Sequence, residues 1–158
     1  MIRRLNTGEA ALYRELRLEA LKESPEAFAT TYEAASKRDD DSWIQQADGS
    51  SIGDDRATFV VIADRPLGLA AIYREPDNAS VGELIQMWIA PEYRGGSLAA
   101  DLLDALLDWA ARHDFITIRA EVTPGNSRAL RFYQKCGFRL VDSEITAGVL
   151  AMDLVPRH

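Results

Sequence analysis

The 158 residues of this chain are enough for one domain with a substantial core, and the 47% hydrophobic and 27% charged content is typical of a folded protein and excludes a disordered one. The 18 Lys and Arg against 25 Asp and Glu give a formal net charge of -7, which repels phosphate backbones and argues against nucleic acid as a partner. With one Cys and two His there is no intramolecular disulfide and no metal-ligand spacing, and without a signal segment or an apolar run of about 20 residues we expect a cytoplasmic protein that does not enter a membrane.

The first third of the sequence predicts a short strand and two helices. Residues 2–5 form the strand, and Thr7 is expected to cap the first helix. The apolar positions of that helix recur every third or fourth residue, at Ala11, Leu12, Leu16, Leu18 and Leu21. The helix ends near Ser24, before a proline. A second helix begins at the acidic stretch "DDDSW", because Asp side chains suit the positive N-terminus of a helix.

Three strand-like runs follow, separated by turn residues. They are "ATFVVIAD", "LGLAAIYRE" and "VGELIQMWIA", and they predict an antiparallel meander. In the third run both alternate sets are apolar, Leu84 and Trp88 in one and Ile85, Met87 and Ile89 in the other. This pattern is typical of a central strand that is covered on both faces.

A glycine turn links the third strand to a long helix, in the stretch "PEYRGGSLAADLL". The helix presents an apolar row at Leu98, Leu102 and Leu106. Glycines let several backbone N–H groups converge, and the first turn of a helix binds anions, so this turn is suited to a pyrophosphate. A plain strand-to-helix turn with Ser97 as its N-cap explains the same residues equally well.

The remainder predicts a strand, a helix and a hairpin. "FITIRAEV" alternates as a strand does, "NSRALRFYQKC" is a short helix with Gly137 at its C-cap, and "FRLVDSE" and "GVLAMDL" form the hairpin. The order of all these elements predicts a mixed-sheet α/β domain.

Two stretches resemble motifs of the GNAT superfamily of N-acetyltransferases: "IAPEYRGGSLAADLL" and "VTPGNSRALRFYQKCGF". The first fits the family's pyrophosphate loop at Arg94 and Ala99, although Ser97 stands where the family usually has glycine. The second fits at Asn126, Ala129, Phe132, Tyr133, Gly137 and Phe138. The N-terminal "LRLEALKESPEAFATTYE" is similar to the first helix and loop of many small members, so the resemblance covers most of the chain.

The resemblance implies a GNAT fold, a single α/β domain over residues 1–158 with a central mixed, mostly antiparallel sheet flanked by helices. It implies acetyl-CoA as the cofactor. The residues that it assigns to acetyl-CoA are Met87, Trp88 and Ile89 on the strand, Arg94, Gly95, Gly96, Ser97, Leu98 and Ala99 in the turn and helix start, and Asn126 and Tyr133 further on. Packing is an alternative explanation for Trp88, and helix capping for Asn126.

Acetyl transfer to an amine needs a neutral amine, a stabilised oxyanion and a proton for the thiolate. The resemblance assigns the general acid to Tyr133, which also fits a core aromatic stripe, and assigns the oxyanion donor to strand N–H groups. For the base, Glu121 corresponds to a glutamate of ribosomal-protein N-terminal acetyltransferases, and Glu83 on the central strand is its rival. A water held by Gln86 is a third route.

Acceptor recognition is expected around Phe28, Thr31, Tyr32 and Thr146, although these residues also fit lid packing. The acceptor is a primary amine, either a small molecule or a protein or peptide N-terminus. The alternative function is a GNAT-like module that binds an acyl-CoA as a sensor or partner-binding domain without turnover. The family also allows a homodimer, but the sequence shows no identifiable interface.

Overall fold

The computed structural model describes residues 1–123, 125–142 and 148–154, which form five α-helices and seven strands. The strands are β1 Ile2–Arg4, β2 Arg56–Ile62, β3 Pro66–Arg74, β4 Val81–Ile89, β5 Thr117–Val122, β6 Arg139–Asp142 and β7 Gly148–Asp153. The helices are α1 Ala10–Glu23, α2 Tyr32–Ser36, α3 Asp40–Gly49, α4 Leu98–Arg112 and α5 Ser127–Lys135. None of the helices in these ranges has the length and apolar character needed to cross a bilayer.

The seven strands form one mixed sheet in the order β1-β2-β3-β4-β5-β7-β6. Every pairing is antiparallel except that of β4 with β5, which is parallel and joined through α4. The predicted meander and terminal hairpin are therefore confirmed, and so is the predicted fold class: a mixed, mostly antiparallel sheet flanked by helices in an α/β domain.

Helices cover both faces of the sheet and create two hydrophobic clusters. On the α4 side, Leu102, Leu103 and Leu106 pack against alternate residues of the strands, including Phe59 of β2. On the α1 side, helices α1 and α3 pack against the other set, including Val60 of β2. The strict alternation along β2 is what a strand buried on both faces requires.

Strand β4 carries a bulge that changes which face its side chains occupy. Gln86 has a φ of 59°, and the pairing with β3 shifts by one residue between Ile85 and Trp88. As a result, Leu84 packs on the α4 side and Trp88 on the α1 side. The prediction that these two residues share a face was wrong, because the extra residue of a bulge reverses the alternation beyond it.

Strands β4 and β5 separate halfway along their length. They pair only from Val81 opposite Thr117 to Leu84 opposite Ala120. Beyond Leu84, β4 continues with its β3 partner alone, so within the described ranges the edge of β4 that faces β5 has no strand partner as far as Ile89. A wedge-shaped gap therefore opens between two neighbouring strands in the middle of the sheet.

Two local predictions for the N-terminal half differ from the structure, and one short helix was not predicted. Thr7 does not cap α1: its hydroxyl lies 2.8 Å from that of Ser51, and Glu9 occupies the N-cap position without a side-chain capping bond. The buried face of α1 includes Tyr13 and Arg17, whereas Ala11 is exposed. Helix α2 was not predicted, because five residues are too few to show a helical period.

We expect Gly68→Ala to destabilise the protein, because a Cβ at this β3 position would lie 2.5 Å from the Ile89 side chain and 2.8 Å from the Trp88 carbonyl oxygen. Such overpacking costs about 1–3 kcal/mol of unfolding free energy, measurable by urea denaturation. Gly49→Ala is the matched control, since its Cβ would meet only the Arg56 side chain at 3.5 Å or more. Equal denaturation midpoints for the two variants would contradict the close approach of β3 to β4.

Candidate active site

A cavity of about 670 Å³ lies at the gap between the separated strands. Its wall is formed by the end of β4, the glycine turn, the starts of α4 and α5, and the segment after α1. The predicted site residues that line it are Phe28, Met87, Trp88, Ile89, Arg94, Gly95, Gly96, Ala99, Asn126 and Tyr133. Residues predicted from three separate stretches of the sequence therefore meet in one cavity.

The end of β4 presents backbone donors to this cavity. The Ala90 N–H points toward β3, where it donates to the Leu67 carbonyl oxygen at 2.7 Å. Because N–H groups alternate across an antiparallel strand, the N–H of the preceding Ile89 faces the gap left by β5. An extended ligand bearing amide groups fits such an edge as an added strand does.

The glycine turn before α4 is open on its concave side. Gly95 has a φ of +92°, which a residue with a Cβ rarely adopts, and a Cβ built on Gly95 or Gly96 meets nothing within 4 Å. Ser97 occupies the N-cap position, but its hydroxyl donates to Asp101 Oδ2 at 3.0 Å instead of capping the helix. The first N–H groups of α4 thus have no side-chain cap from Ser97 and remain available to an anion.

Arg94 is held by Glu23, a residue that the sequence analysis missed. Arg94 Nε donates to the Ile89 carbonyl oxygen at 2.9 Å, and Nη2 donates to Glu23 Oε1 at 2.5 Å. The same carboxylate oxygen accepts from Trp88 Nε1 at 3.0 Å and from the Ser24 hydroxyl. Burial opposes the charge, but these hydrogen bonds outweigh it and lower the pKa of Glu23. Glu23 stands 71 residues from Arg94, so no local pattern could have shown the pair.

Two further cations line the cavity, Arg128 and Lys135 on α5. Both were missed, because on a short polar helix a cation is indistinguishable from ordinary solvated surface. Asn126 both caps α5 and lines the cavity. Its Oδ1 accepts a hydrogen bond from the Ala129 N–H at 3.2 Å. Among the described residues, no three His, Cys, Asp or Glu side chains are arranged to hold a metal ion.

The residues of this cavity fit a coenzyme A, whose pyrophosphate and 3′-phosphate are anionic and whose arm carries amides. The space beside both turn glycines is open, and the first N–H groups of α4 lack a side-chain cap from Ser97, so this part of the wall can accept an anionic group such as a pyrophosphate. Arg128 and Lys135 add positive charge within an acidic protein. The unpartnered edge of β4 matches the amides of the arm.

Tyr133 is a buried aromatic that also reaches the cavity. Its ring centroid lies 5.4 Å from those of Phe132 and Phe138, so the predicted aromatic stripe is present. The residue is 7% exposed, and burial, assisted by the neighbouring Cys136, raises the pKa of its phenol well above the usual value. The hydroxyl therefore keeps its proton at any physiological pH.

The two predicted bases do not line the cavity. Glu83 and Glu121 lie on the α1 side of the sheet, because the intervening Leu84, Ala120 and Val122 pack on the α4 side. Glu83 lies opposite Arg119, with Arg119 Nη1 3.7 Å from Glu83 Oε1. Both carboxylates are thus close to the point where β4 and β5 separate.

The environment of Glu83 favours its protonated form. Burial is the largest cause, followed by a hydrogen bond with Glu75, and together they outweigh Arg119 and raise the pKa of Glu83 to about 7. The negative charge of Glu121 adds to this effect. Glu83 therefore exchanges a proton near neutral pH, which suits a general base.

The predicted acceptor residues divide into three groups. Phe28 lines the cavity. Thr31 and Tyr32 do not: the Thr31 hydroxyl caps α2 by accepting from the Ala34 N–H, and Tyr32 is 40% exposed. Thr146 lies outside the described residues. Gln86 is engaged through its side-chain oxygen, which accepts from the Tyr13 hydroxyl at 3.0 Å, a partner that the sequence analysis missed.

Many solved structures share this fold, among them those of three named acetyltransferases or their domains. An acetyltransferase of the GNAT family from Streptococcus pneumoniae has a TM-score of 0.82 at 16% identity, covering 98% of this chain and 99% of the other. The GNAT domain of S. lividans PAT has a TM-score of 0.78 at 17% identity, covering 97% and 89%. A PaiA N-acetyltransferase from Thermoplasma acidophilum, solved in complex with coenzyme A, has a TM-score of 0.70 at 19% identity, covering 98% of each chain.

A comparison with curated protein sequences found no match. The model of the acetyltransferase (GNAT) family, in contrast, matches residues 11–138, which is most of the chain and includes both motifs and the whole wall of the cavity. The chain therefore belongs to the GNAT acetyltransferase family, whose members transfer an acyl group from acyl-CoA to an amine.

Proposed function

We propose that this protein transfers an acetyl group from acetyl-CoA to a primary amine by direct attack. The observation that carries the proposal is the cavity at the gap between β4 and β5, where an open glycine turn, a free strand edge and a buried phenol converge. When bound, acetyl-CoA supplies an activated acyl thioester. Overall, one C–N bond forms, one C–S bond breaks, and the amine loses a proton while the thiolate gains one.

On the cofactor side, the chain holds phosphates and provides donors. The pyrophosphate is bound by Gly95, Gly96 and the first N–H groups of α4. The positive charge for the phosphates comes from Arg128 and Lys135, because Arg94 is already paired with the Glu23 carboxylate. The Ile89 N–H, which faces the gap at the end of β4, stabilises the oxyanion through a hydrogen bond that the fold orients in advance.

Tyr133 is the proposed general acid. Its buried phenol holds a proton throughout the physiological pH range, and the same burial raises the basicity of a thiolate placed beside it. A protonated phenol that lines the cavity is therefore available to donate to the departing thiolate.

Glu83 is the proposed general base, and Glu121 is the alternative. Both face the α1 side, from which an amine approaches the gap without crossing the cofactor side. Glu83 is favoured because its pKa of about 7 lets it accept a proton near neutral pH. Since neither carboxylate lines the cavity itself, a water relays the proton from the cavity, and Gln86, whose side-chain oxygen is held by Tyr13, is the proposed residue that orients it.

A second function, acyl-CoA binding without turnover, is favoured by two observations on the turn. Ser97 brings a side chain to a position where the family usually has glycine, and Arg94 is already engaged by Glu23. A protein of this class would bind acetyl-CoA and release no thiol with any amine.

We expect Gly96→Ala to weaken coenzyme A binding about 10-fold or more, equivalent to about 1.4 kcal/mol, because the new methyl group occupies the phosphate space. The thermal unfolding temperature should not fall, since that Cβ meets nothing within 4 Å in the protein itself. Calorimetric titration of coenzyme A measures the first effect, with Gly49→Ala as the control that keeps wild-type affinity. Unchanged affinity for Gly96→Ala would place the pyrophosphate elsewhere.

We expect Tyr133→Phe to lower kcat by about 100- to 10,000-fold while the affinity for acetyl-CoA stays within about threefold, because only the proton donor is removed. The assay is thiol release with a panel of primary amines, beside calorimetric binding. Phe132→Leu, which alters the same stripe and leaves the phenol in place, controls for packing. Binding of acetyl-CoA without thiol release for any amine in the wild type would favour the second function.

We expect kcat/KM of the wild type to rise with pH through about 7, because Glu83 is protonated below its pKa and then accepts no proton. Glu83→Gln should remove this rise and lower kcat/KM by about 100-fold. Glu75→Gln should move the rise to lower pH, because Glu75 raises the pKa of Glu83. If Glu121→Gln removes the rise and Glu83→Gln does not, the base is Glu121.

A further inference from the structure

Arg17 on α1 is a buried cation with no ion-pair partner in the described part of the chain. The residue is 7% exposed, and its Nη1 is removed from solvent without a hydrogen-bond acceptor among residues 1–123, 125–142 and 148–154. Among the described residues no carboxylate forms an ion pair with it. Burying an arginine without an anion is costly, so proteins seldom keep one unless something else provides the missing charge.

The neighbours that the structure shows around Arg17 include an aromatic ring and a phenol but no anion. Its guanidinium lies over the Phe28 ring at 4.8 Å, and its electrostatic neighbours are Tyr13 and a second cation, Arg38. Arg38 is itself satisfied, with Nε donating to the Ser42 hydroxyl and Nη2 donating to Gln46 Oε1. A second positive charge nearby makes the unpaired state of Arg17 less favourable still.

A second donor in the same region also lacks an acceptor. The Nε1 of Trp43 is buried and makes no hydrogen bond. The Trp43 ring contacts Tyr13 edge-on, with centroids 5.7 Å apart, and lies under the Arg38 guanidinium at 4.0 Å. In the described part of the chain, these are the two buried side-chain donors that lack an acceptor, and they share the neighbours Tyr13 and Arg38. Both require an oxygen acceptor, and an anion meets that requirement together with the charge of Arg17.

Arg17 lies next to the side of the site from which an amine would approach. Phe28, which contacts its guanidinium, is part of the cavity wall, so the guanidinium is within one side chain of the cavity. Tyr13 donates to Gln86, the residue at the bulge of β4 and next to Met87 of the wall. An anion bound at Arg17 is therefore close to the end of β4 where the acceptor amine must be placed.

We propose that Arg17 binds a carboxylate of the acceptor, so that the acceptor is an amine that also carries a carboxylate. The inference rests on the proposed function, because it names the substrate class of the same site. A planar guanidinium binds a carboxylate through two parallel hydrogen bonds, which fixes the orientation of the acceptor as well as its affinity. Free amino acids provide this group, and so do peptides with an acidic side chain near the N-terminus.

The first test compares acceptors that differ only in the carboxylate. Thiol release from acetyl-CoA is measured with the twenty amino acids, with their amides, and with short peptides that have Asp, Glu, Asn or Gln as second residue. We expect kcat/KM for at least one acid to exceed that for its amide by about 10- to 100-fold, the effect of a charged hydrogen bond in a buried site. If the acid is preferred over the amide among the amino acids, the acceptor is a free amino acid. If the acidic second residue is preferred among the peptides, the acceptor is a peptide with an acidic side chain near its N-terminus. Equal rates for every acid and amide pair would overturn the inference while leaving the proposed function intact.

The second test changes the guanidinium. Arg17→Met should abolish the preference for the acid, mainly through KM, and Arg17→Lys should retain part of it; Arg14→Met, an exposed change on the same helix, should keep all of it. The unfolding temperature of Arg17→Met should equal or exceed that of the wild type, because an uncompensated buried charge is replaced by an apolar chain. A lower unfolding temperature together with an unchanged acid preference would show a structural role and overturn the inference.

The third test separates binding from turnover. N-acetylated amino acids and their amides, which resemble products and cannot react, are titrated calorimetrically into the wild type with coenzyme A present. An acid that binds about 10-fold or more tightly than its amide supports the inference, and equal affinities contradict it. This comparison uses the wild type alone and so holds even if Arg17→Met does not fold. Failure of the proposed function differs from all these outcomes, because it appears as an absence of thiol release with every amine.

Discussion

The limited pairing of β4 with β5 is the constraint on which the site depends. The two strands share four register pairs and then part after Leu84. A parallel sheet that continued would use the N–H groups of β4 for its own ladder and would leave no room for a ligand between the strands. Among the described residues, the separation leaves the end of β4 without a strand partner on this edge, where the Ile89 carbonyl oxygen accepts from Arg94 and the Ile89 N–H faces the gap.

The bulge at Gln86 completes this arrangement by reversing the side-chain alternation at the point of separation. Before it, Glu83 faces the α1 side; after it, Met87 and Ile89 pack toward the α4 side and the cavity, while Trp88 joins the core beneath α1. One inserted residue thus places the Glu83 carboxylate on one face of the strand and the apolar side chains of Met87 and Ile89 on the other. The proposed base and the proposed cofactor site are in this way kept on opposite sides of one strand.

Much of the fold and part of the site followed from local patterns. The period of α4, the meander and the glycine turn are encoded within a few residues of one another, and Asn126 caps α5 as its sequence position suggests. The faces of β4 could not be predicted, because the bulge depends on pairing with β3. Arg17 was not noticed, since a charged residue in a helix is normally solvated, and its burial, with the Phe28 ring against its guanidinium, appears only in the folded chain. Glu23, the shared partner of Trp88 and Arg94, lies 65 residues from the first and 71 from the second, beyond any local signal.

The carboxylate of Glu23 has a thermodynamic consequence for how two ligands affect each other's affinity. Its Oε1 accepts hydrogen bonds from the turn through Arg94, from β4 through Trp88 and from the end of α1 through Ser24. A phosphate that draws Arg94 away competes with this carboxylate, and α1, which carries Arg17, then loses one of its tethers to the turn. Linkage makes the effect reciprocal. If a ligand bound at the turn changes the affinity for a second ligand that favours the tethered form of α1, the second ligand changes the affinity of the turn for the first by the same factor.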